Sequence, residues 1–273
     1  MHESVDEFRR IAEPLYRRDP VAHTIELTLL AAGGFPDDSF LMTVWDDGTA
    51  VGAALQTPPY PLACNGIPSV AIDSVAADLA DAQPDLEGVR GTRNTAVAFA
   101  DAWHAMTGRE TTVSTEERLY RLGTLKAPAG VAGAPRDADS DDRDLLVEWV
   151  KRFFDDAFGQ LQNDGGEAFV HNANQVGHRF VLWEVDGAPV SMAMLRVPAA
   201  GVSRIGPVFT PRDKRGHGYG SAVTAAASQL AHRSGTPDVV LFADLANPTS
   251  NAIYQRIGFE AVGDSVRIDF RVP

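Results

Sequence analysis

Hydrophobic and polar positions follow a pattern that occurs twice along this chain. In each occurrence, two stretches with apolar residues at helical spacing precede two short apolar runs joined by Asp-Gly, which predicts two helices and a β-hairpin. The first hairpin turns at Asp47-Gly48 and the second at Asp186-Gly187, 139 residues later. The predicted helices cover approximately residues 4–17, 21–32, 143–158 and 166–176. Duplication of one domain explains this repeat most simply; coincidence is the alternative, because helix–helix–hairpin is a common local pattern.

The chain length and one segment without periodicity together predict two domains. At 273 residues the chain exceeds the usual size of a single domain, and each half is long enough to bury a core. Residues 127–142 are rich in Ala, Pro, Gly and Asp and lack apolar periodicity, which is typical of a linker. We therefore expect an N-terminal domain over residues 1–126, a linker over 127–142 and a C-terminal domain over 143–273.

The most informative segment follows an apolar, β-branched run that stops at Pro211. Three glycines at alternate positions, Gly216, Gly218 and Gly220, separate this predicted strand from a helix-forming run over residues 221–233. Such a turn collects unpaired N–H groups and the positive end of a helix dipole at one point, which makes an anion site. Glycine leaves the backbone accessible and tolerates positive φ. The expected ligand is a diphosphate.

Three interpretations of this glycine turn compete. A P-loop requires a Lys followed by Ser or Thr after its last glycine, whereas Gly220 is followed by Ser221-Ala222. A dinucleotide-binding G-x-G-x-x-G motif requires a third glycine where Ser221 stands. The third pattern, Arg-x-x-Gly-x-Gly, is met by Arg215, Gly218 and Gly220.

A second motif lies downstream. Residues 238–243 contain a continuous apolar run that predicts a buried strand. Asn247 then suits a helix N-cap, followed by proline at the first helical position, and Gly258 suits the C-terminal end of that helix. Together the two motifs resemble those of the Gcn5-related N-acetyltransferase (GNAT) family, in which Asn, Tyr and Gly-Phe recur at the spacing of Asn247, Tyr254 and Gly258-Phe259.

The resemblance covers roughly residues 179–270. It implies an α/β (α+β) fold of two GNAT-like domains, each with a mixed, mostly antiparallel twisted sheet flanked by helices. The chain looks like the tandem bacterial type, with a working C-terminal domain and a degenerate N-terminal copy. The N-terminal counterpart of the glycine turn, residues 69–82, contains no glycine and carries Asp73, Asp78 and Asp81, which would repel a diphosphate.

The resemblance also implies acetyl-CoA as co-substrate and assigns residues to it. Tyr254 would stand near the sulfur as general acid, although a tyrosine on an apolar helix face is in general more often core packing. Asn247 would hydrogen-bond the pantetheine arm. The other residues expected to bind acetyl-CoA, mainly through their backbone, are Val208, Phe209, Thr210, Arg215, Gly216, His217, Gly218, Tyr219, Gly220 and Ser221.

The sequence does not identify a general base. Family members that acetylate protein N-termini can carry a Glu at the position of Phe242; here Glu184, Asp244, His171 and His178 remain. We expect an N-acetyltransferase that transfers acetyl directly from acetyl-CoA to a primary amine of a small molecule or peptide. The alternative is a non-catalytic acyl-CoA-binding or regulatory module, and a nucleotide-dependent enzyme is a third, disfavoured interpretation.

Composition restricts the partners and the compartment. The net charge of −13 argues against nucleic acid as a partner, although Arg204, Arg212, Lys214 and Arg215 are predicted to cluster at the glycine turn. No apolar run reaches the roughly 20 residues needed to span a bilayer, and the acidic N-terminus has no signal core, so we expect a cytoplasmic protein without membrane contact. A single cysteine excludes an internal disulfide, and no His/Cys/Asp cluster has metal-ligand spacing. A monomer or homodimer is expected.

Overall fold

A computed structural model of the chain describes residues 1–158 and 165–271 and divides it into two compact units. Unit 1 consists of Met1–Leu119, Ala243–Ala246 and Val262–Pro273, and unit 2 of Tyr120–Phe242 and Asn247–Ala261. The segment expected to be a linker, residues 127–142, belongs to unit 2 and contains a short strand at Ala134–Asp137. The expected domain limits at residues 126 and 143 stay a prediction.

Within its described residues, unit 1 combines four helices with a sheet that contains antiparallel pairs of strands and one parallel pair. Its elements are α1 (Val5–Tyr16), α2 (Thr24–Ala32), β1 (Phe40–Asp46), β2 (Thr49–Gln56), β3 (Leu62–Ala63), α3 (Ile72–Ala82), β4 (Gly88–Thr92), α4 (Arg93–Thr107) and β5 (Glu110–Leu122). The strand β5 belongs to unit 1 as far as Leu119 and to unit 2 from Tyr120 onward. The parallel pair is β3 and β4, in which Leu62 lies opposite Val89. The last strand of the chain, Phe259–Arg271, pairs antiparallel with β4 through its residues 265–269.

Unit 2 repeats the same order of elements and adds one strand before them. Its elements are β6 (Ala134–Asp137), α5 (Arg143–Phe158), α6 (Gly165–Val176), β7 (Arg179–Val185), β8 (Ala188–Leu195), β9 (Val202–Phe209), α7 (Tyr219–Arg233), β10 (Asp238–Asp244), α8 (Pro248–Arg256) and the beginning of β11 (Phe259–Arg271). The strands lie in the order β10-β9-β8-β7-β6, and only β9 and β10 are parallel. The predicted mixed, mostly antiparallel sheet flanked by helices is confirmed.

Both predicted hairpins are present and share a local irregularity. The turn residues Asp47 and Gly48 have φ of 43° and 75°, and Asp186 and Gly187 have φ of 51° and 77°. Positive φ at both central residues is the type I′ geometry that matches the twist of the adjoining strands. In β1 the register shifts between Val44 and Trp45, and in β7 it shifts between Trp183 and Glu184, at the same distance from each turn. The hairpins therefore repeat in detail as well as in position.

Each unit encloses its own hydrophobic core. In unit 1, the helices α3 and α4 pack on the sheet around Phe99 and Trp103, both fully buried. In unit 2, α5 and α6 pack on one face of the sheet around Trp149, Leu182 and Phe209. The predicted helical spacing of α5 is thus explained by one apolar face turned to the strands. Within the described residues, no helix combines the length and the apolar character required to cross a bilayer.

Candidate functional site

The turn from β9 to α7 exposes a row of backbone amides. Gly216 and Gly218 have φ of 85° and 83°, and Gly218 is the N-cap of α7 in left-handed conformation. The first helical hydrogen bond runs from the Ala222 amide to the Gly218 carbonyl at 3.0 Å. Within the described part of the chain, the amides of residues 216–221 donate no hydrogen bond to the backbone. Successive unpaired amides at a helix N-terminus form an anion-binding concavity. We name this segment, residues 216–221, the amide cradle.

The glycines of the amide cradle keep it accessible. A Cβ atom at Gly216 would have no atom within 4 Å, so that only solvent or a ligand lies beside it. A Cβ atom at Gly218 would lie 3.0 Å from Val131 Cγ2, and one at Gly220 would lie 3.3 Å from Thr210 Oγ1. The positive φ values at residues 216 and 218 also disfavour any other residue type there. These features fit a diphosphate held by main-chain N–H groups.

The basic residues before the amide cradle are engaged by a carboxylate on α5. Arg212 and Arg215 donate to the two carboxylate oxygens of Asp156 at 2.6 and 2.8 Å. Hydrogen bonds from these two arginines hold the pKa of Asp156 below its usual range. Arg215 also donates through Nε to the Thr210 carbonyl at 3.0 Å, which fastens the turn to the end of β9. Sequence reasoning missed Asp156, because nothing in α5 distinguishes it from the other exposed acidic residues.

One member of the predicted basic cluster lies elsewhere. Arg204 stands near the beginning of β9, where its charge acts on His178 and its carbonyl accepts a hydrogen bond from the Arg196 amide at 3.0 Å. A strand advances about 3.3 Å per residue, so Arg204 is about 16 Å along β9 from Phe209. Its inclusion in the cluster at the glycine turn was wrong, because proximity in sequence along an extended strand is not proximity in space.

The strands β9 and β10 pair over only part of their length. Their parallel register joins Val202–Ile205 to Asp238–Leu241, whereas β9 continues to Phe209. Beyond Ile205, Val208 and Phe209 remain paired with β8 on the other side. The Phe209 carbonyl accepts from Ser191 Oγ at 3.0 Å, and Ser191 Oγ lies 2.9 Å from Thr210 Oγ1. The edge of Val208–Thr210 that faces away from β8 is therefore separated from β10, next to the amide cradle.

The predicted N-cap Asn247 is confirmed in its structural role. Its Oδ1 accepts a hydrogen bond from the Ser250 amide at 3.0 Å, and its carbonyl accepts one from Asn251 Nδ2 at 2.8 Å. Asn251 in turn accepts a hydrogen bond from the hydroxyl of Tyr120 at 2.8 Å. The first turn of α8 is thus fixed both by its own cap and by a fully buried tyrosine from the end of β5.

Tyr254 lies on α8 in an aromatic environment. Its ring centroid is 6.4 Å from that of Tyr120 and 6.1 Å from that of Phe259, the latter in an edge-on arrangement. Burial raises the pKa of Tyr254 to about 12, so the phenol keeps its proton throughout the neutral range. A protonated phenol can donate to a developing anion but cannot serve as a base. Tyr120 was missed as a neighbour of this site because it lies 134 positions upstream of Tyr254.

Three of the four residues considered for the general base, Glu184, His178 and Asp244, take part in other hydrogen bonds. Glu184 accepts from Arg136 Nε at 2.7 Å. His178 is buried and accepts from the Val197 amide at 3.2 Å, and burial together with Arg196 and Arg204 lowers its pKa to about 4. Phe242 lies in β10, His171 is exposed on α6, and Asp244 accepts from the Ala246 amide at 2.8 Å. In the described residues, no three His, Cys, Asp or Glu side chains approach closely enough to hold a metal ion.

Comparison with known proteins places this site in a family. Residues 143–259 match the model of the acetyltransferase (GNAT) family. Among curated proteins, a mycothiol acetyltransferase of Clavibacter sepedonicus is 29% identical over 243 residues, which cover 85% of this chain and 77% of that protein.

Solved structures extend the likeness to the whole fold. A GNAT-family acetyltransferase of Colwellia psychrerythraea aligns with a TM-score of 0.63 at 12% identity, over 100% of this chain and 98% of its own. A tandem GNAT protein of the clavulanic acid biosynthesis pathway aligns with a TM-score of 0.57 at 16% identity, over 96% of both chains. The family match covers the amide cradle and α8, and together these findings support a GNAT-family acetyltransferase with residues 143–259 as the matched domain.

Proposed function

We propose that this protein is an acetyl-CoA-dependent N-acetyltransferase that transfers the acetyl group directly to a primary amine of a small molecule or peptide. The observation that carries the proposal is the amide cradle at the N-terminus of α7, beside the point where β9 and β10 separate. That arrangement offers N–H donors for a diphosphate and an open strand edge for an extended amide-containing arm.

The residues of the cradle and of β9 have distinct roles in this proposal. The amides of Gly216, His217, Gly218, Tyr219, Gly220 and Ser221 hold the diphosphate. The open edge of Val208, Phe209 and Thr210 forms hydrogen bonds with the pantetheine arm. Asn247, at the N-terminus of α8, forms a further hydrogen bond with this arm. Arg215 acts by fixing the turn, because its guanidinium is bonded to Thr210 and Asp156.

The proposed chemistry requires one proton to be supplied and one to be removed. Acetyl transfer forms a C–N bond, breaks the thioester C–S bond, and takes a proton from the attacking amine. The departing sulfur benefits from a proton, which Tyr254 donates. Burial raises the pKa of the Tyr254 phenol, so this group holds a proton when the C–S bond breaks. The amine proton passes to solvent, and Tyr254 takes a proton back from solvent before the next transfer.

We further propose that the N-terminal half is a second, degenerate GNAT-like domain that does not bind coenzyme A. Support comes from the shared order of elements, from the matched hairpins and from the single parallel pair in each unit. The N-cap of α3 is Ala71, which makes no side-chain cap hydrogen bond, and the first turn of α3 carries Asp73, whose negative charge would repel an anion. Titration should accordingly find one coenzyme A site per chain.

A screen of primary amines tests the activity. Purified protein is incubated with acetyl-CoA and single amines, and thiol release is recorded together with the mass of the acetylated product. A mycothiol-related amine belongs in the panel because the Clavibacter relative is a mycothiol acetyltransferase. Saturable N-acetylation of at least one amine supports the proposal. Tight acetyl-CoA binding with no product from any amine supports the binding module, and absence of acetyl-CoA binding overturns both.

A further inference from the structure

Two aromatic side chains project from the amide cradle and lie against each other. The rings of His217 and Tyr219 have centroids 5.4 Å apart and planes within 11° of parallel. His217 is exposed and Tyr219 is half-buried. Neither belongs to the buried hydrophobic cluster of unit 2, so the pair does not serve core packing.

The stacked pair is fixed by the backbone of the cradle. His217 Nδ1 lies 2.9 Å from the Arg215 carbonyl, which only accepts, so this nitrogen carries the proton and orients the ring. Gly218, between the two aromatic residues, has φ of 83°. This left-handed residue turns the chain so that the side chains before and after it lie side by side. The same glycine conformation that presents the amides therefore also sets the ring pair.

An exposed, flat ring beside a phosphate site is suited to a third aromatic ring. Within the described residues, the His217 ring stacks with no ring other than Tyr219. Stacking of a nucleobase on an aromatic side chain contributes to affinity without hydrogen-bond readout. A ligand that carries a diphosphate and a heteroaromatic base together is a nucleotide, and the adenine nucleotide end of acetyl-CoA has this chemistry.

We propose that the His217–Tyr219 pair is a stacking platform for the adenine of acetyl-CoA, and that it sets the preference for the complete coenzyme over shorter acyl thioesters. This inference depends on the proposed function, because it assigns the nucleotide end of the same ligand. It goes further in giving the two side chains, and not only their backbone, a role in specificity.

Two acyl donors of different length test the platform. Acetyl-CoA and S-acetyl-4′-phosphopantetheine, which lacks the whole 3′-phosphorylated AMP portion and keeps one phosphate, are compared by calorimetry and by KM in the amine assay. His217→Ala and Tyr219→Leu should each weaken acetyl-CoA binding about tenfold more than binding of the shorter donor, because only acetyl-CoA reaches the rings. His217→Phe keeps a flat ring and should retain the wild-type preference. His232→Ala, an exposed histidine in the last turn of the same helix, is the matched control and should change neither.

Three outcomes would overturn the platform. These are equal weakening for both donors, which indicates disturbance of the amide cradle; no effect on either donor; and a loss in His217→Phe as large as that in His217→Ala. Failure of the wild-type protein to bind acetyl-CoA at all is a different result, since it would reject the proposed function and not the role of the rings alone.

Discussion

The turn after β3 and the turn after β9 join a parallel-paired strand to a helix in the two halves of the chain, yet they use glycine in opposite ways. A Cβ atom at Gly66, after β3, would lie 2.3 Å from the Ala53 carbonyl oxygen and 2.7 Å from Tyr16 Cε1. A Cβ atom at Gly216, after β9, would meet nothing within 4 Å. One glycine permits close packing of the chain on itself, and the other keeps the backbone open. The same path of the chain thus yields a closed turn in unit 1 and a turn with an accessible backbone in unit 2.

The helices α4 and α8, each of which follows the second strand of a parallel pair, also differ between the two units. The seventh residue of α4 is Phe99, and the seventh residue of α8 is Tyr254. Phe99 is fully buried and stacks near Trp103 and Phe270 at 6.2 and 6.5 Å. Tyr254 is half-buried and carries a hydroxyl group. Where the first half places one more core aromatic, the second half places the tyrosine that we propose as the proton donor.

The largest expected effect comes from filling each turn. Gly218→Val should weaken acetyl-CoA binding at least 100-fold, because the side chain covers the amides; the left-handed φ adds strain of about 1–3 kcal/mol. Gly66→Ala should lower the free energy of unfolding by about 1–3 kcal/mol through overpacking and leave the affinity of the folded protein unchanged. Calorimetry and urea unfolding measure the two quantities. Normal acetyl-CoA affinity in Gly218→Val would contradict the proposal that the turn after β9 binds the ligand while the turn after β3 serves packing.

The second prediction makes α8 resemble α4. Tyr254→Phe should lower kcat about 100-fold with little change in acetyl-CoA affinity, since it removes a general acid and keeps the ring. In the wild-type enzyme, kcat should show no decline from tyrosine ionisation up to about pH 10, because burial raises the pKa of Tyr254 to about 12.

Tyr120→Phe is the matched control for the tyrosine. Tyr120 lies beside Tyr254, and the substitution removes the hydrogen bond that the Tyr120 hydroxyl donates to Asn251. It should cost about 1 kcal/mol of stability and reduce kcat far less than Tyr254→Phe does. Equal losses of kcat in the two variants would mean that the tyrosines support α8 and that neither donates the proton.

A third prediction separates backbone strain from coverage of the cradle. Gly216 and Gly235 stand beside the two ends of α7 with φ of 85° and 82°, and both have open space where a Cβ would lie. Alanine at either position should cost about 1 kcal/mol of stability. Only Gly216→Ala should also weaken acetyl-CoA binding, by about tenfold. A similar loss of affinity in Gly235→Ala would contradict a role specific to the cradle.

The smallest effect concerns the contact between α5 and the turn. Arg212 and Arg215 lower the pKa of Asp156, so this contact stabilises the fold above the ordinary carboxyl pKa of about 4 and is lost as the pH falls through the lowered value. The groups are partly exposed, so Asp156→Asn should cost no more than about 1 kcal/mol at pH 7. Urea unfolding of both proteins should show this difference at pH 7 and its disappearance near pH 2. A difference that persists there would exclude the carboxylate as its source.

Several elements of both units could be predicted from sequence because their signals are local. Apolar residues at helical spacing marked α5, alternate glycines marked the turn before α7, and Asn247 followed by proline marked the start of α8. The strand β6 gave no such signal, since the Ala-Pro-Arg-Asp segment lacks alternation. It exists because its backbone pairs with β7, a contact that only the folded chain supplies.

The sequence by itself determined the repeated helix–helix–hairpin pattern, the glycine turn and the position of the tyrosine, because each depends on conformational preferences within a few residues. Only the tertiary structure decided which residues support them. Asp156 meets two arginines more than 50 positions away, and Tyr120 bonds to Asn251 across 131 positions. It also removed Arg204 from the basic cluster. Contacts of this kind arise from the packing of strands and helices, and the residues adjacent in sequence to a side chain do not indicate which distant residue it will contact.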